Sequence, residues 1–157
     1  MIEIKPDNRI PTIFVGGSIE QDTASKWQDD FVKAFRSYNV LLFNPRRDAW
    51  DATWEQKYGK NEFTKQVVWE LDHLDKADHI FLYFDSNTKS PISLLELGLY
   101  AASGKVIVCC PEGFWRKGNV DIVCAKHHIP VFEDIKIAIE LLKIKLDRSE
   151  RTYYGKK

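Results

Sequence analysis

The chain has 157 residues, 44% of them hydrophobic and 29% charged, with 23 basic residues against 23 acidic ones. This length and charge balance predict one soluble globular domain, and they give no electrostatic reason to expect nucleic acid or a membrane surface as a partner. Residues 1–11 lack the apolar stretch of a signal peptide, and no apolar run approaches the ~20 residues that span a bilayer. Together with three cysteines, of which Cys109 and Cys110 have the pattern of reduced core thiols, this predicts a cytoplasmic protein.

Short apolar runs alternate along the chain with longer amphipathic ones. Five runs are rich in β-branched and aromatic residues and are bounded by turn residues, which predicts buried strands at 11–17, 40–45, 79–85, 105–111 and 129–133. Helices are predicted between and after them, at about 22–38, 62–77, 91–104, 116–127 and 134–147. The alternation predicts an α/β fold, a parallel sheet with helices on both faces. The domain core is expected at about 11–147, with a polar tail at 148–157 that frays.

The carboxyl ends of the predicted strands are the expected ligand edge, because open parallel sheets bind ligands there. The first strand ends in a glycine turn, Gly16, Gly17 and Ser18, that lets backbone N–H groups approach a ligand. This turn is neither a dinucleotide fingerprint nor a phosphate-binding P-loop. The second strand ends near Asn44, and the third leads through residues 85–90 into the next helix.

One carboxylate, Glu96, interrupts the apolar helix that follows the third strand. At ~100° per residue, Ser93, Glu96, Tyr100 and Ser103 share one face of that helix. The face is either exposed to solvent or turned to the ligand crevice, where the positive start of the helix favours the ionised form that a nucleophile requires. Glu70, on the preceding helix, is either a second carboxylate of the site or an exposed helix charge.

The connection at residues 46–61 is about 16 residues long, which exceeds most connections in compact domains. Its aromatic side chains, Trp50 and Trp54 among them, either stack on a planar base or pin the loop to the core. Arg46 and Arg47 either hold an anion or are ordinary surface charges.

Four segments carry a resemblance to a known family: FVGGSIE (14–20), FNPRRDAWD (43–51), WELDHLDKADHIFLYFD (69–85) and SPISLLELGLYAASGK (90–105). They resemble the nucleoside 2-deoxyribosyltransferase family, including its nucleotide N-hydrolase relatives, over roughly residues 11–135. The resemblance implies a flavodoxin-like, doubly wound five-stranded sheet with strand order 2-1-3-4-5. It also implies a homo-oligomer in which a neighbouring subunit closes the site.

The resemblance implies that the N-glycosidic bond of a 2'-deoxynucleoside or its 5'-monophosphate is cleaved. Glu96 matches the nucleophile, which forms a deoxyribosyl-enzyme before a free base, or water in the hydrolases, takes the sugar. Glu70 matches the second acid, usually Asp in the family, which handles the proton at the base or positions the base; proton transfer favours a raised pKa. Two carboxylates suffice, as in retaining glycosidases, so neither a metal nor an organic cofactor is expected.

Two further positions depart from the transferase pattern. Ser90 stands where transferases carry the Asp that holds the 5'-hydroxyl and where the nucleotide hydrolases carry a serine for the 5'-phosphate; Gly17 and Ser18 also resemble the hydrolases' phosphate loop. Phe14 stands where both branches carry Tyr, so the hydroxyl that orients the nucleophile is missing there. The tyrosines that could supply it are Tyr58, Tyr83 and Tyr100. The residues expected to contact substrate are Phe14, Gly16, Gly17, Ser18, Asn44, Arg46, Trp50, Trp54, Ser90 and Ser93.

The expected function is therefore deoxyribosyl transfer from a nucleoside or nucleotide to another free nucleobase. Three alternatives stay open on the sequence: hydrolysis of a deoxynucleoside 5'-monophosphate, a non-catalytic nucleotide-binding sensor on the same fold, and an NAD-cleaving enzyme similar to the Toll/interleukin receptor type, which also uses a glutamate.

Overall fold

A computed structural model describes residues 9–19, 26–45 and 54–154 of the chain, with side chains up to Arg148. Strands and helices alternate through these ranges, and a 3-10 turn at Ala101–Ser103 extends the third helix. In chain order the elements are β1 (Thr12–Gly17), α1 (Trp27–Ala34), β2 (Leu41–Phe43), α2 (Glu62–Lys76), β3 (His79–Tyr83), α3 (Pro91–Tyr100), β4 (Val106–Cys109), α4 (Lys117–Lys126), β5 (Val131–Phe132) and α5 (Ile135–Tyr154).

The five strands form one parallel sheet in the order β2-β1-β3-β4-β5. This confirms the predicted flavodoxin-like α/β fold. The chain reverses its direction of strand addition between β1 and β3, which pair from Ile13 opposite His79 to Gly17 opposite Tyr83. Their carboxyl ends therefore form the switch point at which such sheets bind ligands.

Each face of the sheet has its own apolar core. Alternate residues of a strand point to opposite faces, so Ile13 and Val15 pack with α1 and α5, while Phe14 packs with α2, α3 and α4. Strand β3 divides in the same way: Phe81 lies on the α1 and α5 side and Leu82 on the other. The helices that carry Glu70 and Glu96, α2 and α3, therefore share one face of the sheet.

The start of the sheet is held by Asp78, which lies at the opposite end from the ligand edge. Its carboxylate accepts hydrogen bonds from the Thr12 backbone N–H at 2.8 Å and the Thr12 hydroxyl at 3.0 Å, and Arg9 pairs with it at 2.6 Å. These contacts tie the beginning of β1 to the beginning of β3.

The helix ends differ from prediction in three places, the first being α1, which ends at Ala34 and not at residue 38. The tail predicted to fray from residue 148 instead continues α5 to Tyr154. The buried side chains of Ala138, Leu142 and Leu146 anchor the helix, and extending an existing helix costs little. Helix α3 ends at Tyr100, earlier than predicted. The predicted start of α1, residue 22, lies outside the described residues.

The three cysteines are buried and unpaired. Burial raises the pKa of Cys109 to about 12, of Cys110 to about 11 and of Cys124 to about 12, so all three are neutral thiols at physiological pH. The prediction that Cys109 and Cys110 are reduced core thiols is confirmed. Among the helices of the described ranges, none is both long and apolar enough to cross a bilayer.

A substitution of Gly17 tests whether β1 and β3 must approach each other closely. Its φ is +131°, and a Cβ there would lie 2.2 Å from the Tyr83 carbonyl oxygen, a backbone atom that cannot move aside. We expect Gly17→Ala to lower the free energy of unfolding by about 3 kcal/mol or more, measured by chemical denaturation. Gly98→Ala, in open space on α3, is the control and should gain up to about 1 kcal/mol. Equal stabilities of the two variants would contradict the close approach.

Candidate active site

Three buried hydroxyl groups, of Ser18, Thr88 and Ser90, join the end of β1 to the start of α3; we call them the hydroxyl cluster. The Ser18 Oγ lies 2.9 Å from the Thr88 Oγ1 and 2.5 Å from the Ser90 Oγ, and the last two are 2.7 Å apart. The cluster is anchored to the backbone, because the Asp85 N–H donates to the Ser18 Oγ at 2.8 Å and the Thr88 hydroxyl donates to the Asp85 carbonyl at 3.0 Å.

The cluster fixes the N-cap residue of α3 in an unusual conformation. Ser90 caps α3 with a left-handed backbone, φ 47° and ψ 54°, which costs a non-glycine residue energy unless its surroundings hold it. Pro91 follows at the first helical position, where its fixed φ suits a helix start. On the other side, the Trp27 indole N–H donates to the Ser18 carbonyl at 3.0 Å. Both ends of the β1–α3 junction are therefore held.

The polar face of α3 turns toward α2 and not toward solvent. Ser93 and Glu96 are buried, with Glu96 only 7% exposed, and the Tyr100 hydroxyl donates to the Asp75 carboxylate at 2.6 Å. The solvent-exposed interpretation is therefore wrong for Ser93 and Glu96, while Ser103 is exposed. That this face lines the ligand crevice stays a prediction. Conversely, the apolar residues Ile92, Leu95 and Leu99 lie outward.

Glu96 on α3 and Glu70 on α2 form an interacting pair. Burial, and secondly the negative charge of Glu70, raise the pKa of Glu96 from 4.5 to about 8. The expectation that the start of the helix keeps Glu96 ionised is wrong. A helix end contributes up to about 2 kcal/mol, whereas a shift from 4.5 to about 8 corresponds to roughly twice that.

Gln66 is a site residue that the sequence analysis missed. It lies one turn before Glu70 on α2, and its Nε2 donates to the Glu70 Oε1 at 2.7 Å. Hydrogen bonds to an ionised acceptor are about twice as strong as neutral ones, so this contact orients the carboxylate and stabilises its charge. The i, i+4 spacing of Gln66 and Glu70 was the available signal.

Phe14 and Gly16 pack beneath the carboxyl edge of the sheet. Phe14 is fully buried in the same core cluster as Leu97, the neighbour of Glu96. A Cβ at Gly16 would lie 2.8 Å from the Leu82 side chain and 3.0 Å from the Phe14 ring, so glycine leaves room for both. Phe14 thus places an apolar ring where the family carries a tyrosine. A hydroxyl that orients Glu96 would have to come from another residue.

The three candidate tyrosines lie in different surroundings. Tyr58 is 96% exposed, and the Tyr83 ring packs against Trp27 on the opposite face of the sheet, with 5.0 Å between ring centroids. Tyr100 interacts electrostatically with Glu96, and burial, with the hydrogen bond to Asp75 next, raises its pKa to about 12. Of the three, Tyr100 is the candidate that this interaction with Glu96 supports.

The remaining predicted contacts are only partly described. Asn44 and Trp54 are half-buried, at the end of β2 and in the following connection. Arg46 and Trp50 lie outside the described residues. Within the described ranges, no three His, Cys, Asp or Glu side chains are arranged to hold a metal ion.

Two surface grooves lie away from the carboxylate pair. One, of about 510 Å³, runs between α3 and α4 and includes Leu94, Trp115 and Val123; the other, of about 830 Å³, runs between α1 and α5. Neither is lined by Glu70 or Glu96. The assignment of the site therefore depends on buried charge at the ligand edge and not on the size of a groove.

The fold and the site together define a class of protein: a doubly wound α/β domain that holds two interacting carboxylates near the carboxyl edge of its sheet. The family model described as "Nucleoside 2-deoxyribosyltransferase like" matches residues 10–114, more than half of the 157 residues. The chain belongs to this family of nucleoside 2-deoxyribosyltransferase-like proteins, which confirms the resemblance noted in the sequence.

A solved structure supports the fold. The chain is similar to a conserved protein from Enterococcus faecalis V583, with a TM-score of 0.63 and 12% sequence identity over 87% of this chain and 99% of that one. No curated protein matches the sequence. At this identity, the structural likeness supports the fold alone.

Ser18→Ala tests whether the hydroxyl cluster stabilises the junction. The substitution leaves the Asp85 N–H and two neighbouring hydroxyls without their shared partner in a buried place. We expect a loss of about 2 kcal/mol in the free energy of unfolding. Ser86→Ala, in the same connection but exposed, is the control and should change stability by less than about 0.5 kcal/mol. A loss of similar size in both variants would argue against a structural role for the cluster.

The raised pKa of Glu96 predicts a pH dependence of stability. The folded protein holds this proton up to about pH 8, whereas the unfolded chain releases it near 4.5, so stability falls as pH rises between these values. We expect Glu96→Gln to be more stable than the native protein at pH 9 by about 3 kcal/mol, and the difference to vanish near pH 4. Denaturant titrations at both pH values measure this.

Glu112→Gln is the control for this prediction, because Glu112 is exposed. It should leave the difference between pH 4 and pH 9 unchanged. A Glu96→Gln protein with the same pH dependence as the native one would mean that Glu96 is solvated and not buried.

Proposed function

We propose that this protein cleaves the N-glycosidic bond of a 2'-deoxynucleoside or its 5'-monophosphate through a glutamate-bound deoxyribosyl intermediate and transfers the sugar to another nucleobase. The observation that carries the proposal is that the buried Glu96 interacts with the half-buried Glu70 near the ligand edge of the sheet. Family membership supports the substrate class. The substrates are a small-molecule nucleoside or nucleotide and a free nucleobase.

The first half-reaction uses Glu96 as the nucleophile. A Glu96 oxygen forms a bond to the anomeric carbon while the bond from that carbon to the base nitrogen breaks, and the electron pair of this bond leaves with the base. A sugar without a 2'-hydroxyl reaches the oxocarbenium-like transition state more readily, so an adjacent carboxylate and an acid suffice. In the second half-reaction a nitrogen of a new base attacks the same carbon, and the ester bond to Glu96 breaks.

The proton that the departing base needs is held by the carboxylate pair. Burial and the charge of Glu70 raise the pKa of Glu96 to about 8, so this carboxyl carries a proton near neutral pH. Positive charge developing on the sugar favours ionised Glu96, and negative charge developing on the base draws the proton toward Glu70. Binding of substrate between the two groups thus shifts the proton to the side where the reaction consumes it.

Hydrolysis of a deoxynucleoside 5'-monophosphate is the second candidate, and the observation that favours it is the hydroxyl cluster at the start of α3. Serine at position 90 and the helix N-terminus suit a phosphate. In the structure, however, these hydroxyls bond to one another and to the backbone, so a phosphate would have to replace some of those bonds. This cost favours the unphosphorylated nucleoside as the substrate.

We propose that the protein forms a homo-oligomer, and the outward face of α3 supports this proposal. Ile92, Leu95 and Leu99 form an apolar row at helical spacing and are 59%, 59% and 58% exposed. Contiguous apolar patches that are exposed in this way mark interaction surfaces. A second subunit covering this row would lie on the helix that carries Glu96. The buried free thiols suit the reducing cytoplasm, which we propose as the location.

The direct test is chromatography of the products from a panel of 2'-deoxynucleosides, their 5'-monophosphates and NAD, each with and without a second free base. We expect base exchange only when the acceptor base is present. Glu96→Gln should reduce the rate to below about one thousandth, and Glu70→Gln should reduce it by about 10²–10⁴-fold. Asp72→Asn is the control, because Asp72 is exposed on the same helix as Glu70.

Each alternative has its own outcome in this panel. Free base released from monophosphates alone would identify a nucleotide hydrolase. Consumption of NAD alone would identify an NAD-cleaving enzyme. Binding of the panel compounds without any cleavage would contradict catalysis and favour a sensor.

A further inference from the structure

The side chain of Gln66 is deeply buried, and its amide oxygen accepts no hydrogen bond from the residues that the structure describes. Its side chain is 2% exposed, and its Nε2 is engaged by Glu70 at 2.7 Å. Its Oε1 is buried and has no hydrogen-bond partner among the residues that the structure describes. A buried amide oxygen that has lost water without a replacement costs about 1–3 kcal/mol. Such groups are rare in native proteins and call for an explanation.

The orientation of the amide follows from its partner. A carboxylate only accepts hydrogen bonds, so the amide must present its N–H side to Glu70 and its oxygen elsewhere. Holding Glu70 in this way leaves the oxygen without a partner. An acceptor directed away from Glu70 is suited to a ligand that brings an N–H donor.

The position of Gln66 on α2 places it next to the ligand edge. In a parallel sheet the helix after a strand starts at the carboxyl edge, so α2 starts there and runs away from it. Gln66 precedes Glu70 by one turn, about 6 Å along the axis, so it lies on the side of Glu70 from which ligands enter.

We propose that Gln66 positions Glu70 through its Nε2 and, through its Oε1, accepts a hydrogen bond from an N–H group of the bound nucleobase. The base contact rests on the proposed function. It selects bases that present an amino or imino N–H at that edge over analogues that lack it. A buried acceptor discriminates strongly, because a ligand without the donor leaves it unpaired.

The test measures binding by calorimetry with matched ligands that differ in one N–H group. The full chain carries Glu96→Gln, so that the ligands stay intact, and is compared with the same protein carrying Gln66→Met as well. Methionine has a similar length but neither donor nor acceptor. The ligand pairs are 2'-deoxyadenosine with purine 2'-deoxyriboside, 2'-deoxycytidine with pyrimidin-2-one 2'-deoxyriboside, and thymidine with 3-methylthymidine.

We expect at least one pair to show about tenfold tighter binding of the N–H ligand when Gln66 is present, and near-equal binding with Gln66→Met. Leu74→Met is the control for repacking of α2, since Leu74 is buried on the same helix, and it should keep the tenfold preference. An equal preference with and without Gln66 would overturn the base contact. Failure of every ligand to bind would overturn the proposed function itself, a result distinct from binding without discrimination.

A second arm tests the positioning role without any ligand. Within the described residues, the charged group that acts on Glu96 is Glu70 from α2, while Glu96 in turn acts on Tyr100 of α3. With Gln66→Met the charge on Glu70 loses its hydrogen bond, so the shared proton moves toward Glu70. In ¹³C-carboxyl NMR titrations of the protein with native Glu96, we expect the Glu96 midpoint to fall by about one pH unit. An unchanged midpoint in a folded Gln66→Met protein would overturn the positioning role.

Discussion

The site depends on how closely β1 and β3 approach at their carboxyl ends. Gly17 permits this approach because it has no Cβ to strike the Tyr83 backbone. The approach lets the Ser18 N–H donate to the Tyr83 carbonyl at 2.8 Å and places the Ser18 hydroxyl against Ser90. Ser90 in turn sets the start of α3, and with it the depth at which Glu96 lies. One backbone contact thus determines where the carboxylate stands.

Polar contacts between helices α2 and α3 hold the two carboxyl groups of the site in place. Tyr100 bonds to Asp75, and Lys105 donates to the Asp75 carbonyl at 2.8 Å, so the far end of α3 is tied to α2. Between these ties and the hydroxyl cluster, Glu96 is held beside Glu70. Because the pKa of Glu96 is raised, the folded protein loses stability when the pH rises above the ordinary pKa of a glutamate. Packing gives no reason for a carboxyl group in this place, whereas such a group is expected at a reactive site.

The sequence predicted the fold well because the fold follows from local patterns. Short apolar runs and the amphipathic segments between them predict strands and helices, and their alternation predicts that the strands are parallel. The strand order came from the family resemblance. Glu96 was found for a similar reason, since one charge in an apolar helix is conspicuous. The end of α5 was missed because the polar composition of its last residues hid their helix propensity.

What could not be predicted depends on tertiary surroundings. The protonation of Glu96 reflects how much water the neighbouring helices exclude, which no local pattern records. The outward orientation of Leu95 and Leu99 reverses the usual amphipathic rule, because the polar face of α3 is needed inside. Gln66 gave too weak a signal, since an amide one turn from a carboxylate is common on exposed helices.

The central claim is that Glu96 bonds to the sugar. The most direct measurement is intact-protein mass spectrometry after acid quenching of the protein with excess 2'-deoxynucleoside in the absence of acceptor base, followed by peptide mapping. The account predicts a mass gain of one deoxyribosyl group on the peptide that contains Glu96, and none in Glu96→Gln. Base release by the native protein with no such adduct, or an adduct on another residue, would contradict it.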